Sequence, residues 1–171
     1  MKKQLLCILL VCANAISLHA NYWTQKADFG GVPRADATGF SIGNKGYIGT
    51  GYTGTYSTDW WEYDRATNTW TQKANYGGAG IVESASFTIG SKGYILAAPS
   101  SADFWEFDPV TNTWTQKAVF PGMIRQAAVA FAIDGRGYVT TGSGSTLLND
   151  MWEYNPSTNS WLGKAPLPGV G

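Results

Sequence analysis

Apolar rings and acids alternate through Trp61-Glu62-Tyr63-Asp64, and the alternation returns at Trp105-Glu106-Phe107-Asp108 and at Trp152-Glu153-Tyr154-Asn155. A period of two puts the rings on one face of a pleated strand. Each run leads into a four-residue segment, Arg65 to Asn68, Pro109 to Asn112 or Pro156 to Asn159, and then into a Trp-led stretch reading TWTQKA or SWLGKA. Proline presets the φ of a turn's second residue, and asparagine tolerates left-handed backbone. A hairpin of two strands around that turn is therefore the repeated building unit. No stretch beyond the first twenty residues keeps a 3.6-residue apolar period, so no helix is expected there.

The repeat is longer than the hairpin. Trp23, Trp70, Trp114 and Trp161 lie 47, 44 and 47 residues apart, and each unit carries an aromatic at one offset, Phe40, Phe87 and Phe131. Gly46-Tyr47, Gly93-Tyr94 and Gly137-Tyr138 follow it. This pattern predicts four strands per unit, in the first unit a over Asp36 to Ile42, b over Tyr47 to Gly51, c over Asp59 to Asp64 and d over Thr69 to Ala74. Gly43-Asn44-Lys45-Gly46 and its counterparts have the chemistry of a hairpin connection between a and b. The units run over about 23–69, 70–113 and 114–160, with a fourth beginning at 161–171 and one spare strand d at Tyr22 to Ala27. Self-similarity at this period indicates propeller blades or another array of small β units.

The amino-terminal twenty residues stand apart. Lys2 and Lys3 precede an apolar run from Leu5 to Ile16, and Leu18-His19-Ala20 offers a small residue at a cleavage point, the pattern of a secretory signal peptide. The run is too short to span a bilayer. A lipid anchor would need Cys12, but Val11 stands where such signals want a small residue. The mature chain, 21–171, is then extracellular or periplasmic. It loses Cys7, Cys12 and His19, the only cysteines and the only histidine, and keeps ten basic against twelve acidic residues, a net charge of −2. No basic stripe is present to hold a phosphate backbone, so nucleic acid is not an expected partner.

A Gly-Tyr strand b, an aromatic-acidic strand c, a Pro-x-Thr-Asn turn and a Trp-led strand d, with Arg34 and Arg125 ahead of strand a, resemble the Kelch repeat over essentially all of the mature chain. The resemblance implies an all-β fold, a Kelch-like β-propeller segment in the architecture shared with the central domain of galactose oxidase-like enzymes. It departs after strand b, where the family's double glycine reads Gly49-Thr50-Gly51, Ala97-Ala98 and Thr140-Thr141-Gly142. No Gly-His or Trp-Asp signature of WD40 repeats occurs, and sialidase-type aspartate boxes are absent. Kelch rings usually hold six or seven blades, so three are an incomplete ring. The expectation is either a truncated gene product or self-association of two chains into six blades.

Residues that recur at equal offsets, such as Trp70, Trp114 and the glutamates Glu62, Glu106 and Glu153, read as blade scaffold. The length difference between units falls between strands b and c, whose loops leave the same end of a blade as the d to a segments. That end is the expected working face. It would display Tyr52 and Tyr56, then Leu147, Leu148 and Asn149, and Arg34 and Arg125, residues suited to a glycan or a protein loop. The mature chain lacks the histidine and cysteine that copper radical oxidases, Ser-His-Asp or Cys-His nucleophiles and zinc sites require. No catalytic residue, metal or cofactor is therefore expected. The leading expectation is a secreted, non-catalytic binding or scaffolding module. The alternative is a carbohydrate-acting enzyme of the Kelch-type sialic acid epimerase kind, with Asp28, Asp36 or Glu83 as acid or base in a completed ring.

Overall fold

The computed structural model describes residues 23–169. The signal-peptide reading of residues 1–20 lies outside them. Twelve strands form three four-stranded antiparallel sheets, each a meander in chain order. The first sheet holds β1 (Thr38–Ile42), β2 (Lys45–Gly49), β3 (Trp60–Asp64) and β4 (Thr69–Lys73). The second holds β5 (Ala85–Ile89), β6 (Lys92–Leu96), β7 (Phe104–Asp108) and β8 (Thr113–Gln116). The third holds β9 (Val129–Ile133), β10 (Arg136–Thr140), β11 (Met151–Asn155) and β12 (Ser160–Lys164). These are blades of a partial β-propeller. No helix among the described residues is long and apolar enough to cross a membrane.

The turns explain the strand limits. Ile42 pairs with Lys45, so the a to b connection is two residues and not the expected four. Gly43 and Gly90 supply a positive φ at its first position, while in the third sheet both Asp134 and Gly135 do. That is the backbone twist tight hairpins favour. The c to d connection keeps its four residues, because Asp64 pairs with Thr69. Asp64 accepts the Ala66 N–H at 2.7 Å to open the turn, and Asn68 closes it at φ 55°. Asp108 with Asn112 and Asn155 with Asn159 repeat both steps. Strand a starts at Thr38 rather than Asp36, since Asp36 sits at φ 54° and leaves the extended region.

The spare strand expected over Tyr22 to Ala27 is not formed. Tyr22 lies outside the described residues, and Trp23 to Ala27 join no sheet. Strands β4, β8 and β12 each exist by pairing along a preceding strand c. No such strand precedes Trp23 among the described residues, and its ring is fully exposed. Identical wording, WTQKA, therefore yields a strand at Trp70 and none at Trp23.

The sheets stack through their apolar faces. First strands meet, β1 against β5 and β5 against β9, so these strands form the inner edge. One core lies between the first two sheets, around Tyr47, Trp60, Ile95 and Phe107. The other lies between the second and third, around Phe87, Phe104, Val139 and Tyr154. The recurring Phe of strand a lies over the recurring Gly of the next sheet, Phe40 over Gly93 and Phe87 over Gly137, so closely that any Cβ there would collide with the ring. The Ser86 hydroxyl donates to Gly39 O and the Thr88 hydroxyl to Ser41 O, each at 2.8 Å, joining β5 to β1.

A second repeated joint works at the outer edge. Ala74, leaving β4, donates its N–H to the Asn112 side chain at 2.9 Å and receives the Trp114 indole N–H on its carbonyl at 3.1 Å. Ala118 meets Asn159 and Trp161 in the same way, and Ala27 meets Asn68 and Trp70. Thus the turn asparagine and the leading tryptophan of each sheet hold the chain that arrives from the previous one. The segment before the first sheet keeps this joint although it forms no strand.

Candidate functional site

The d to a and b to c segments gather at one end of the three sheets, as the alternation of strand direction requires. Arg34 lies there, but it does not face solvent. Its guanidinium makes a two-point pair with Asp59 at 2.6 and 2.7 Å, donates to Thr50 O at 2.8 Å, and lies over the Phe29 ring. The Trp61 indole and the Ser57 hydroxyl donate to the same carboxylate. Arg125 repeats this with Asp150, Thr141 O, Trp152 and Phe120, and its side chain is 0% exposed. The expectation that these arginines present themselves to a ligand is corrected. A planar fork that matches a carboxylate at two points is consumed by it, and each arginine ties the d to a segment to strand c.

The second sheet lacks this tie. Ile81 replaces the arginine and Tyr76 the phenylalanine. Among the described residues Asp103 accepts only the Gln116 amide at 3.1 Å from a side-chain donor, and the Trp105 indole N–H and the Tyr76 hydroxyl are buried without a partner. Burial, with the charge of Asp103, pushes the Tyr76 hydroxyl up.

Charge fixes the protonation of the two ties. The hydrogen bonds from Arg34 hold Asp59 well below the usual carboxylate range, and those from Arg125 lower Asp150. The unfolded chain, with carboxyls near about 4, then binds protons before the folded chain does. Stability from the ties is complete above that pH and falls as the pH drops below it. Chemical denaturation midpoints should be lower at pH 3 than at pH 6, with a smaller acid loss in Arg34→Met. A midpoint that holds or rises at pH 3 would contradict the assignment.

The recurring glutamates are scaffold. Tyr47, Tyr94 and Tyr138 donate their hydroxyls to Glu62, Glu106 and Glu153 at 2.7, 2.6 and 3.1 Å, and Lys73, Lys117 and Lys164 lie beside the same carboxylates. Burial alone would raise Glu62, but hydrogen bonds from Lys45 and Tyr47 hold it below its ordinary value.

Tyr52 and Tyr56 do lie together and open to solvent, 48% and 53% exposed, with ring centroids 6.1 Å apart, edge to face. Their backbone is pinned by bridges from Tyr52 to both Ala35 and Tyr56. Leu147, Leu148 and Asn149 line a cleft of about 440 Å³ with Ala127, Thr141, Gly142 and Ser143. In the first sheet the backbone of the matching segment, though not the Tyr52 and Tyr56 rings, is covered by the segment entering the second sheet: Gly51 donates to Ile81 O at 2.8 Å, and Gly80 runs so close to Tyr56 O that a Cβ there would collide with it. The structure thus places Tyr52 and Tyr56 on one exposed patch, and Leu147, Leu148 and Asn149 on a face of the kind that receives a neighbouring sheet.

Two carboxylate residues named as acid or base candidates come close along the inner edge. Glu83 N–H donates to Asp36 O at 3.2 Å, and Ala127 N–H to Glu83 O at 3.1 Å, so three equivalent left-handed residues follow one another from sheet to sheet. Asp28 is apart from them, accepting the Gln25 amide at 3.1 Å. Among the described residues no three His, Cys, Asp or Glu side chains gather as metal ligands.

No family model and no curated protein matches the chain. Among solved structures, that of YjhT is similar with a TM-score of 0.72 at 21% sequence identity, covering 82% of this chain and 54% of that one. At that identity the likeness establishes the propeller-blade fold alone. The chain spans about half the length of this structural neighbour.

Proposed function

We propose that the chain is a secreted Kelch-repeat segment that acts as a non-catalytic binding or scaffolding module for a glycan or a protein ligand, at the end where the b to c and d to a segments gather. The observation that carries this reading is the Tyr52–Tyr56 pair, two exposed rings on a backbone held from both sides. Rings with few rotatable bonds offer contact area at small entropic cost, and each hydroxyl adds a polar handle. The Lys2-Lys3 and Leu5 to Ile16 pattern supports export. The Kelch assignment rests on the four-strand repeat with its Gly-Tyr and Trp positions.

A carbohydrate-acting enzyme is the second reading, and Asp36 and Glu83, joined through their backbones on the inner edge, are the carboxylate residues it would draw on. Paired carboxylates serve sugar chemistry as acid and base. The two readings separate by which residues matter. A panel of immobilised oligosaccharides and photo-crosslinking from position 52 in culture medium should between them yield one saturable partner. Binding should fall at least tenfold in the Tyr52→Ala, Tyr56→Ala double variant and stay unchanged in Asp36→Asn, Glu83→Gln. A partner indifferent to both tyrosines, or none in either assay, overturns the module reading. Turnover of a sugar abolished by the carboxylate changes would establish the enzyme.

A further inference from the structure

The outer faces of the first and third sheets are the two halves of a joint that the chain already makes twice. In each internal joint a strand a phenylalanine fills the space above a glycine of the next sheet. Gly46 is the same glycine in the first sheet, and among the described residues a Cβ there would meet only Tyr63 Cβ, at 3.9 Å. Phe131 is the same phenylalanine in the third sheet, packed on Tyr138 of its own sheet at 5.4 Å. Beside it Val129 and Ile133 are 55% and 54% exposed, whereas their counterparts in the second sheet, Ala85 and Ile89, pack into a core. Among the described residues a filled seat, an empty seat and an unseated ring are thus all present at one position of the repeat.

The incoming segment repeats the correspondence. Between the first two sheets, Gly51 donates to Ile81 O and Glu83 donates to Asp36 O. At the third sheet the corresponding atoms are the Gly142 N–H and the Ala127 carbonyl, and both residues line the open cleft of about 440 Å³. The residues of the first sheet that stand where Ile81 and Glu83 stand are Arg34 and Asp36.

We propose that the β9–β10 face of one chain receives the β1–β2 face of a second copy, with Phe131 over the partner's Gly46 and the cleft at Gly142 filled by the partner's Arg34 backbone. The contact joins unlike faces, so it is heterologous, and two such junctions close two copies into one ring. Six four-stranded sheets lie within the four to eight that propellers hold. The internal joints define what fits this face, and the chain itself carries that complement. This inference concerns assembly and goes beyond the ligand reading, since neither Tyr52 nor Tyr56 takes part in its test.

Sedimentation of the purified exported chain decides it. Wild type should run as a discrete species of two chains. Gly46→Trp, which fills an open space without touching the chain's own cores, and Phe131→Asp should each run as single chains with association weakened at least tenfold. Mixed in equal amounts they should recover a two-chain species, because one junction then combines the intact ring with the intact seat. Ile133→Lys, on an exposed side chain, serves as a second variant should Phe131→Asp lose its cooperative melt. A wild-type single chain at all concentrations, polydisperse growth, association indifferent to these changes, or failure of the mixture to recover would each overturn the proposal.

Discussion

Arg34→Ala should cost about 3–5 kcal/mol of folding stability, the range for removing one member of a buried ion pair. The loss is large because of what remains. Asp59 would keep the Ser57 and Trp61 donors but lose both guanidinium bonds, while only 21% of its side chain reaches water. The Thr50 carbonyl would lose its arginine donor, and the Phe29 ring its cation. Arg125→Ala should fall at the lower end, because Asp150 is 39% exposed and water can replace part of the pair. Arg34→Lys should recover only part of the loss, since an ammonium cannot bond both carboxylate oxygens and the carbonyl in one plane. Urea titrations measure all three. A change below about 1 kcal/mol for Arg34→Ala would mean that the guanidinium is solvated after all.

Trp114→Ala should be of comparable size, about 3–5 kcal/mol for truncating a large packed aromatic. The indole sits between two sheets, its ring 5.2 Å from Trp60, 5.2 Å from Tyr76 and 4.9 Å from Phe107. Its N–H holds the Ala74 carbonyl, so truncation opens a cavity and releases the joint with the preceding sheet together. Tyr52→Ala is the contrast, with an expected change within about 0.5 kcal/mol, as for exposed positions generally. Equal losses at Trp114 and Tyr52 would show that the repeat does not separate scaffold from surface.

The repeat made most of the fold readable. Alternation located the strands, turn residues located the hairpins, and recurrence at equal offsets marked Trp70, Trp114 and the glutamates as scaffold. Three things escaped for physical reasons. The segment at Trp23 has strand wording, but strand formation depends on a neighbour that a local pattern does not contain. Asn68, Asn112 and Asn159 read as turn residues, and their second task of holding an alanine some forty residues earlier is a contact between units. The arginines read as ligand groups because their partners are distant in sequence. One signal was available. Arg34 and Asp59, like Arg125 and Asp150, stand 25 residues apart, and the unit with Ile81 breaks the pairing. Loop length placed Leu147 and Asn149 on a working face, whereas the first sheet shows that the backbone of such a loop, at Gly51 and Tyr56, also docks the segment entering the next sheet.

The central claim is that successive sheets pack face to face, each phenylalanine of strand a seated on the glycine of the next sheet. Proton NMR of the protein tests this directly. The α-protons of Gly93 and Gly137 should be displaced strongly by ring currents and should show Overhauser contacts to the Phe40 and Phe87 rings respectively. Both displacements should vanish in Phe40→Leu and Phe87→Leu, each at its own glycine only. Random-coil shifts at Gly93 and Gly137, with no contact to either ring, would contradict the account.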